Sequence, residues 1–400
     1  MMLSLLRFCF YCFLVFVPFG IGFLIDTHSS LGLNFFNPYL SQKLYLSDIF
    51  WLLGLFCLGV GVLCGRLKID FDRKKHFAFL VFSCAVLLAC LISVMSSFDN
   101  FVALVYFFRV IEFLVFSWLI VLNVLPIKKI LYIFIFLLGG LAVLGILQFV
   151  LQHSLGLHFL GEPVISVAQP GVAKIEIFGH QFLRAYSTFS HPNVFGGYLV
   201  MAILGAFYLK SIRFRKIIIS ICILALILTF SRSALLALLL FVFFKSNLRF
   251  KFLYAAIFLF CFFVLFFDFS ELAVSERLEY MRISKEMFFS YPFGVGGGNF
   301  TFVMPQFSSL VLMPWQLQPV HNIFLLFLNE WGIVGFLLII GAVINCISAV
   351  WKKHQNLQNI GAMMVLIFTL GMFDHYLISL YQGQLILALM LQPKLFDSRL

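Results

Sequence analysis

Charge is scarce in this chain: 11% of its 400 residues are Asp, Glu, Lys or Arg, and only 16 are acidic. A soluble domain carries roughly a quarter, so a water-exposed globular fold is excluded. Internal repeats and low-complexity tracts are also missing. None of the nine cysteines lies in a polar segment facing outward, which excludes a disulfide framework. Cys9-x-x-Cys12 lacks the strand and helix setting of a redox motif and reads as core packing.

Apolar residues fill the chain instead, at 63% of positions with a mean hydropathy of +1.09. They form long runs such as Ile130 to Val150, enough for a helix crossing a hydrocarbon core of roughly 30 Å. The ten-residue alternation of a membrane barrel is missing. The expected fold is therefore all-α: a single polytopic membrane domain over 1–400 with about twelve transmembrane helices. The spans are placed at 8–25, 48–65, 77–95, 101–125, 130–152, 194–209, 217–230, 233–244, 252–267, 322–350, 359–376 and 383–392. The first run has no small-residue cleavage pattern, so it is read as a retained helix.

Lys and Arg concentrate in cytoplasmic loops, and this tests the arrangement. With the N-terminus inside, nineteen of the 27 basic residues fall on the cytoplasmic face, including Arg66, Lys68, Arg73, Lys74 and Lys75 in one loop. Seven face outward: Lys43, Lys174, Arg184, Arg232, Arg277, Arg282 and Lys285. Arg109 alone lies within a span. The net charge of +11 is thus topological, and no nucleic-acid partner is expected. Both termini are placed in the cytoplasm of a bacterial inner membrane.

Three outward segments are long enough to hold structure: 26–47, 153–193 and the large loop 268–321 between the ninth and tenth spans. In the last of these, Glu271 to Phe289 reads as an amphipathic surface helix. The glycine cluster from Tyr291 to Phe300 lacks the strand and helix that flank a nucleotide phosphate loop, so it reads as a turn.

The outward polar residues bound the chemistry. Arg184 sits beside an aromatic membrane-edge segment, and a guanidinium matches phosphate oxygens in a bidentate fork. His191-Pro192-Asn193 shapes the entry to a helix, with Asn193 able to cap it. Arg232 lies in a short turn between two apolar spans, where an arginine usually meets an anion or carbonyl partners, with a structural salt bridge as the competing account. Arg109 and Glu112, at i and i+3, are expected to pair with each other. His321-Asn322 stands at the start of an apolar stretch containing Glu330 and Gly332. Nine residues separate His321 from Glu330, half a turn of rotation on a continuous helix, so they should point to opposite sides. Glu330 is expected to satisfy an arginine or a helix terminus, leaving His321 available for chemistry. Asp374-His375-Tyr376 closes the set, with capping and an aromatic belt as its structural reading.

These segments, in this order, resemble the O-antigen ligase and O-antigen polymerase superfamily. The pieces are Arg184 with Ser187-Thr188-Phe189 and His191-Pro192-Asn193; Ser231-Arg232-Ser233-Ala234; and Arg277-Leu278 with Tyr291-Pro292-Phe293-Gly294-Val295-Gly296. His321-Asn322 with Leu325, Glu330 and Gly332, and then Asp374-His375-Tyr376 with Gln382-Gly383, complete the series. The resemblance implies glycan transfer from an undecaprenyl-diphosphate carrier to a glycan or lipid acceptor hydroxyl on the outer membrane face. It implies that Arg184 and Arg277 stabilise the leaving diphosphate, with Arg232 as a third member, and that His321 orients or deprotonates the acceptor. His191, Asn193, Asn322, Glu330, Asp374 and His375 are then substrate-binding residues. No cofactor and no metal are expected. Two rivals remain: a flippase or other transporter using Arg109, Glu112 and Glu330, and a multispan glycosyltransferase with Asp26 or Asp48 as base.

Overall fold

The computed structural model describes residues 1–26, 37–245, 271–352 and 357–392. The expected span 252–267, with Cys261, and the basic residues Arg249, Lys251, Lys353, Lys394 and Arg399 lie outside the described residues. The helices are α1 (Met2–Phe16), α2 (Leu46–Leu63), α3 (Arg73–Met95), α4 (Asn100–Val121), α5 (Ile127–Leu151), α6 (Pro192–Tyr208), α7 (Arg215–Leu228) and α8 (Arg232–Lys245). They continue with α9 (Glu271–Ser290), the short α10 (Phe300–Val303), α11 (Ile323–Lys352), α12 (Leu357–Phe373), the single turn α13 (Tyr376–Ser379) and α14 (Tyr381–Met390). Six of the helical spans are long and apolar enough to cross a membrane among the described residues; α6 and α12 are shorter apolar helices. The remaining expected spans within the described residues are also helical, but short, so six long spans stand where about twelve were expected.

Pro18 and Gly20 end the first helix early. Residues 17–19 tighten into a 3-10 turn, and the chain then enters β1 (Gly22–Asp26), which pairs antiparallel with β2 (Gln42–Tyr45). Residues 22–25, expected in the first span, are thus strand. A second hairpin, β3 (Lys174–Ile177) and β4 (His180–Leu183), lies in the expected loop 153–193.

Helix α6 is the axis of the bundle: every residue from Pro192 to Ala206 is buried. An all-apolar helix surrounded by others is the expected state of a continuous hydrophobic run. Its neighbours are α5, α7, α8 and α14. Gly197 permits the tight approach of Tyr376, since an added Cβ would lie 2.2 Å from the tyrosine hydroxyl.

Helix α9 forms over the segment expected to be amphipathic. Tyr280, Ile283 and Met287, spaced three and four apart, are buried, whereas Leu278 and Met281 remain 61% and 52% exposed. The inward stripe holds Tyr280 against the loop before α11, where its hydroxyl donates to the Gln316 carbonyl at 2.9 Å.

Helix α11 is broken. Gly332 has φ 67° and ψ 179°, and a Cβ there would lie 2.2 Å from the Phe293 carbonyl carbon. The break frees carbonyls that helix amides would otherwise engage. The glycine-rich segment supplies the partners: Val295 N donates to Asn329 O (2.8 Å), Gly296 N to Glu330 O (3.0 Å), and Ile333 N donates to Pro292 O (2.9 Å). Two further amides of that segment, those of Gly298 and Phe300, face the Glu330 carboxylate. These amides are engaged within the protein, in agreement with a turn at 291–300.

Candidate functional site

The end of α12, the starts of α6, α8 and α11, and the Arg277 to Tyr280 turn of α9 meet at one end of the bundle. A chain of hydrogen bonds joins three of the segments singled out in the sequence. Arg184 donates from Nη2 to Asn193 Oδ1 at 2.7 Å, and Asn193 Nδ2 donates to Asp374 Oδ2 at 2.7 Å. The Arg184 Nε donates to the Thr229 carbonyl at 2.6 Å, tying the arginine to the turn that carries Arg232. Asn193 was expected to cap α6. Instead the cap is His191, whose Nδ1 accepts from Asn193 N at 3.1 Å. The amide, with both a donor and an acceptor, is thereby left to bridge guanidinium and carboxylate.

The second half of the site is aromatic. His321 stacks on Tyr280 with ring centroids 5.9 Å apart and planes inclined by 8°. On its other side lies His375, edge-on at 5.2 Å, and Tyr39 packs edge-on against His375, also at 5.2 Å. His321 Nδ1 is buried without a hydrogen-bond partner. Asp374 Oδ1 accepts from the His375 amide at 2.8 Å, so both carboxylate oxygens are held while the carboxylate faces the imidazoles.

Burial sets the electrostatics. It pulls His321 down to about 3, with His375 adding to the fall and Asp374 opposing it. His191 falls to about 3, through burial and the nearby Arg184. Burial also takes His375 to about 4 against the pull of Asp374. Arg184 drops to about 10 through burial, with Arg232 and Arg277 adding to the effect, and remains charged at neutral pH. Burial raises the Asp374 carboxyl, but the three imidazoles and the Asn193 amide outweigh it and leave the net shift downward. The site at neutral pH therefore holds arginine charge, one carboxylate and neutral imidazoles.

These shifts have a consequence for stability. A histidine kept neutral by the fold takes up protons on unfolding as pH falls below its ordinary value near 6.5, so acid favours the unfolded state. The depressed Asp374 acts in the same sense at lower pH: the stability it contributes above its ordinary value is lost as it protonates. The unfolding midpoint of the purified protein should fall steadily from pH 7 towards pH 4. A flat midpoint over that interval would show that the imidazoles are charged in the folded protein.

Among the residues expected in the site, Arg184, His191, Asn193, His321, Asp374 and His375 are brought together. Arg277 and Arg232 stand within electrostatic reach of that group. Asn322 is adjacent but caps α11, its Oδ1 accepting from Phe324 N and Leu325 N at 2.9 and 3.1 Å. Glu330 does not join the cluster. Its Oε1 accepts from the amide that begins α10 at 3.4 Å. Tyr39, Tyr280, Thr229 and Ser379 were not singled out from the sequence. Only Tyr280 carried a signal, one helical turn after Arg277 on the same face.

Asp48, the base of one rival reading, is engaged elsewhere. It accepts from Arg109 through both oxygens, at 2.6 and 2.9 Å, and from the Tyr45 amide at 2.8 Å. Arg109 also donates to Glu112 at 2.7 Å, the pair expected from their i, i+3 spacing.

An apolar helical bundle with a cationic, imidazole-bearing site at one end defines a multi-pass membrane protein. Residues 217–340 match the family model described as O-antigen ligase, a match that supports the resemblance to the O-antigen ligase and polymerase superfamily. The matched stretch runs from α7 into α11 and includes Arg232, Arg277, His321 and Glu330. Arg184, His191, Asn193, Asp374 and His375 lie outside it and join it through the contacts above. No curated protein and no solved structure matches the chain.

Proposed function

We propose that the protein transfers a glycan from an undecaprenyl-diphosphate carrier to an acceptor hydroxyl at the outer face of the bacterial inner membrane, with both termini in the cytoplasm. The observation that carries this reading is the convergence of Arg184, Arg232 and Arg277 on an imidazole cluster at one bundle end. Cleaving a sugar from a diphosphate releases negative charge onto the leaving oxygens, and arginines fixed in advance stabilise that charge as it develops. Arg184 is fixed through Thr229 and Asn193. Its remaining guanidinium nitrogen, Nη1, is the group assigned to the diphosphate. His321, stacked on Tyr280 and edge-on to His375, orients or deprotonates the acceptor hydroxyl.

An apolar cavity of about 1140 Å³ supports the same reading. It runs beside the site, bounded by Ile323 and Ile378 near the imidazoles and by His76 and Gln392 at its far end. Phe327, Trp331, Tyr106 and Phe368 contribute its aromatic lining. Such a largely apolar chamber suits the hydrocarbon chain of a lipid-borne substrate.

Removing the gene provides the test. Cells lacking the protein should accumulate lipid-linked glycan and lose finished surface polymer. Full-length lipid-linked chains indicate a ligase, and single repeats a polymerase. Unchanged glycans would count against the whole reading, whereas purified protein that moves substrate across vesicles without transferase activity would favour a transporter.

A further inference from the structure

The family reading leaves the destination of one proton open, and the geometry of His375 addresses it. Ser379 Oγ lies 2.7 Å from His375 Nδ1 and 3.0 Å from the His375 carbonyl oxygen, to which it donates. A hydroxyl has a single hydrogen, and a carbonyl can only accept. With that hydrogen directed to the carbonyl, Nδ1 must carry its own hydrogen and give it to Oγ. In the neutral ring Nε2 is then a bare acceptor, a tautomer inferred from the hydrogen-bond network. Among the described residues no hydrogen bond engages Nε2.

We propose that His375 accepts the acceptor's proton during glycan transfer, that Ser379 is the positioning residue fixing its tautomer, and that His321 orients the hydroxyl. This deepens the transferase reading and rests on it. In the step, the acceptor oxygen bonds the anomeric carbon and the bond from that carbon to the phosphate oxygen breaks. Its electron pair leaves with the diphosphate, held by the arginines, and the hydroxyl proton passes to His375 Nε2. The imidazolium formed is stabilised through Nδ1–H by Ser379 and by the negative charge of Asp374. This is the division of labour by which a carboxylate supports an imidazole in acyl transfer. Asp374 is itself held by Asn193 and by the His375 amide, so it faces the ring without reorganising.

Several other groups bear on the ring. His321 and His191 couple to it electrostatically, Tyr39 packs on it, and Arg277 and Arg184 act on the two neighbouring histidines. Burial keeps His375 near 4 despite Asp374, which makes it a neutral base throughout the neutral range. His321 differs: among the described residues no hydrogen bond fixes either of its nitrogens, and a ring held by packing against Tyr280 and His375 is suited to orienting a hydroxyl.

The experiment is a pH profile of glycan transfer by the full-length protein in lipid nanodiscs, with undecaprenyl-diphosphate-linked glycan as donor. Ser379→Ala should lower kcat about tenfold, leave the donor KM unchanged, and move the acidic limb to lower pH because the imidazolium loses an acceptor. Ser379→Thr, which keeps the hydroxyl, should restore both the rate and the limb. His375→Gln should reduce kcat by about 100-fold or more, the range of a lost general base. The inference is overturned if His375→Gln transfers normally, or if Ser379→Ala slows transfer without moving the limb, as a structural serine would. If Ser379→Ala does not fold, His375→Gln decides. Absence of transfer by the unmodified protein would overturn the transferase reading together with this inference. Transfer by the unmodified protein that His375→Gln matches overturns the inference alone.

Discussion

Replacing His321 by Ala is expected to abolish glycan transfer, with a loss of about 100-fold or more, while expression and membrane insertion stay normal. The size follows from what one misplaced group costs a reaction that depends on orientation, or from the loss of proton transfer itself. The selectivity follows from the structure. His321 Nδ1 is buried with no partner, so deleting the ring leaves no donor or acceptor stranded. What is lost is the stack with Tyr280 and the edge contact with His375, packing of modest energy. Transfer assays on membranes normalised to protein level provide the check. Near-normal transfer by this variant would remove the histidine from the mechanism.

The largest effect on stability is expected at Arg109. This side chain is 7% exposed and lies beside the stacked rings of Tyr45 and Tyr381, with its guanidinium carbon 5.1 and 4.6 Å from their centroids. Its donors hold Asp48 on α2 and Glu112 on its own helix, and Nη2 also reaches the Lys43 carbonyl at 3.1 Å. Arg109→Leu would leave two carboxylates facing each other in an apolar surrounding. Breaking a buried pair in this way costs about 3–5 kcal/mol. The thermal unfolding midpoint should drop sharply, and adding Asp48→Asn and Glu112→Gln should recover much of it by removing the stranded charge. If the single variant is as stable as the parent, the three groups are not a buried ionic cluster.

The sequence carried more of the site's membership than of its wiring. Arg184, Arg277, His321 and Asp374-His375 stood out because charged and imidazole groups are rare beside apolar runs, and a rare residue at a membrane boundary is conspicuous. Which of them would touch was less visible. Asn193 read as a helix cap, since local capping is what an Asn after His-Pro does in isolation; its bridge to Asp374, 181 residues away, is a tertiary event. Asp48 read as free in a loop because its partner lies 61 residues on. Hydropathy also ran unbroken through α11, since it registers side chains and is blind to the φ of Gly332. Tyr39 and Ser379 had no sequence signal: a tyrosine and a serine at a membrane edge are ordinary.

The interruption of α11 separates two duties that a continuous helix would have to share. Beyond Gly332, Val334 and Leu337 are 39% and 59% exposed and face the surroundings of the bundle. Before it, the segment following His321 is anchored by main-chain bonds from the Val295 and Gly296 amides to the Asn329 and Glu330 carbonyls. Because that anchor uses no side chains, lipid-facing positions can drift in evolution, and the lower half can tilt to suit bilayers of different thickness, without disturbing the height of the imidazole.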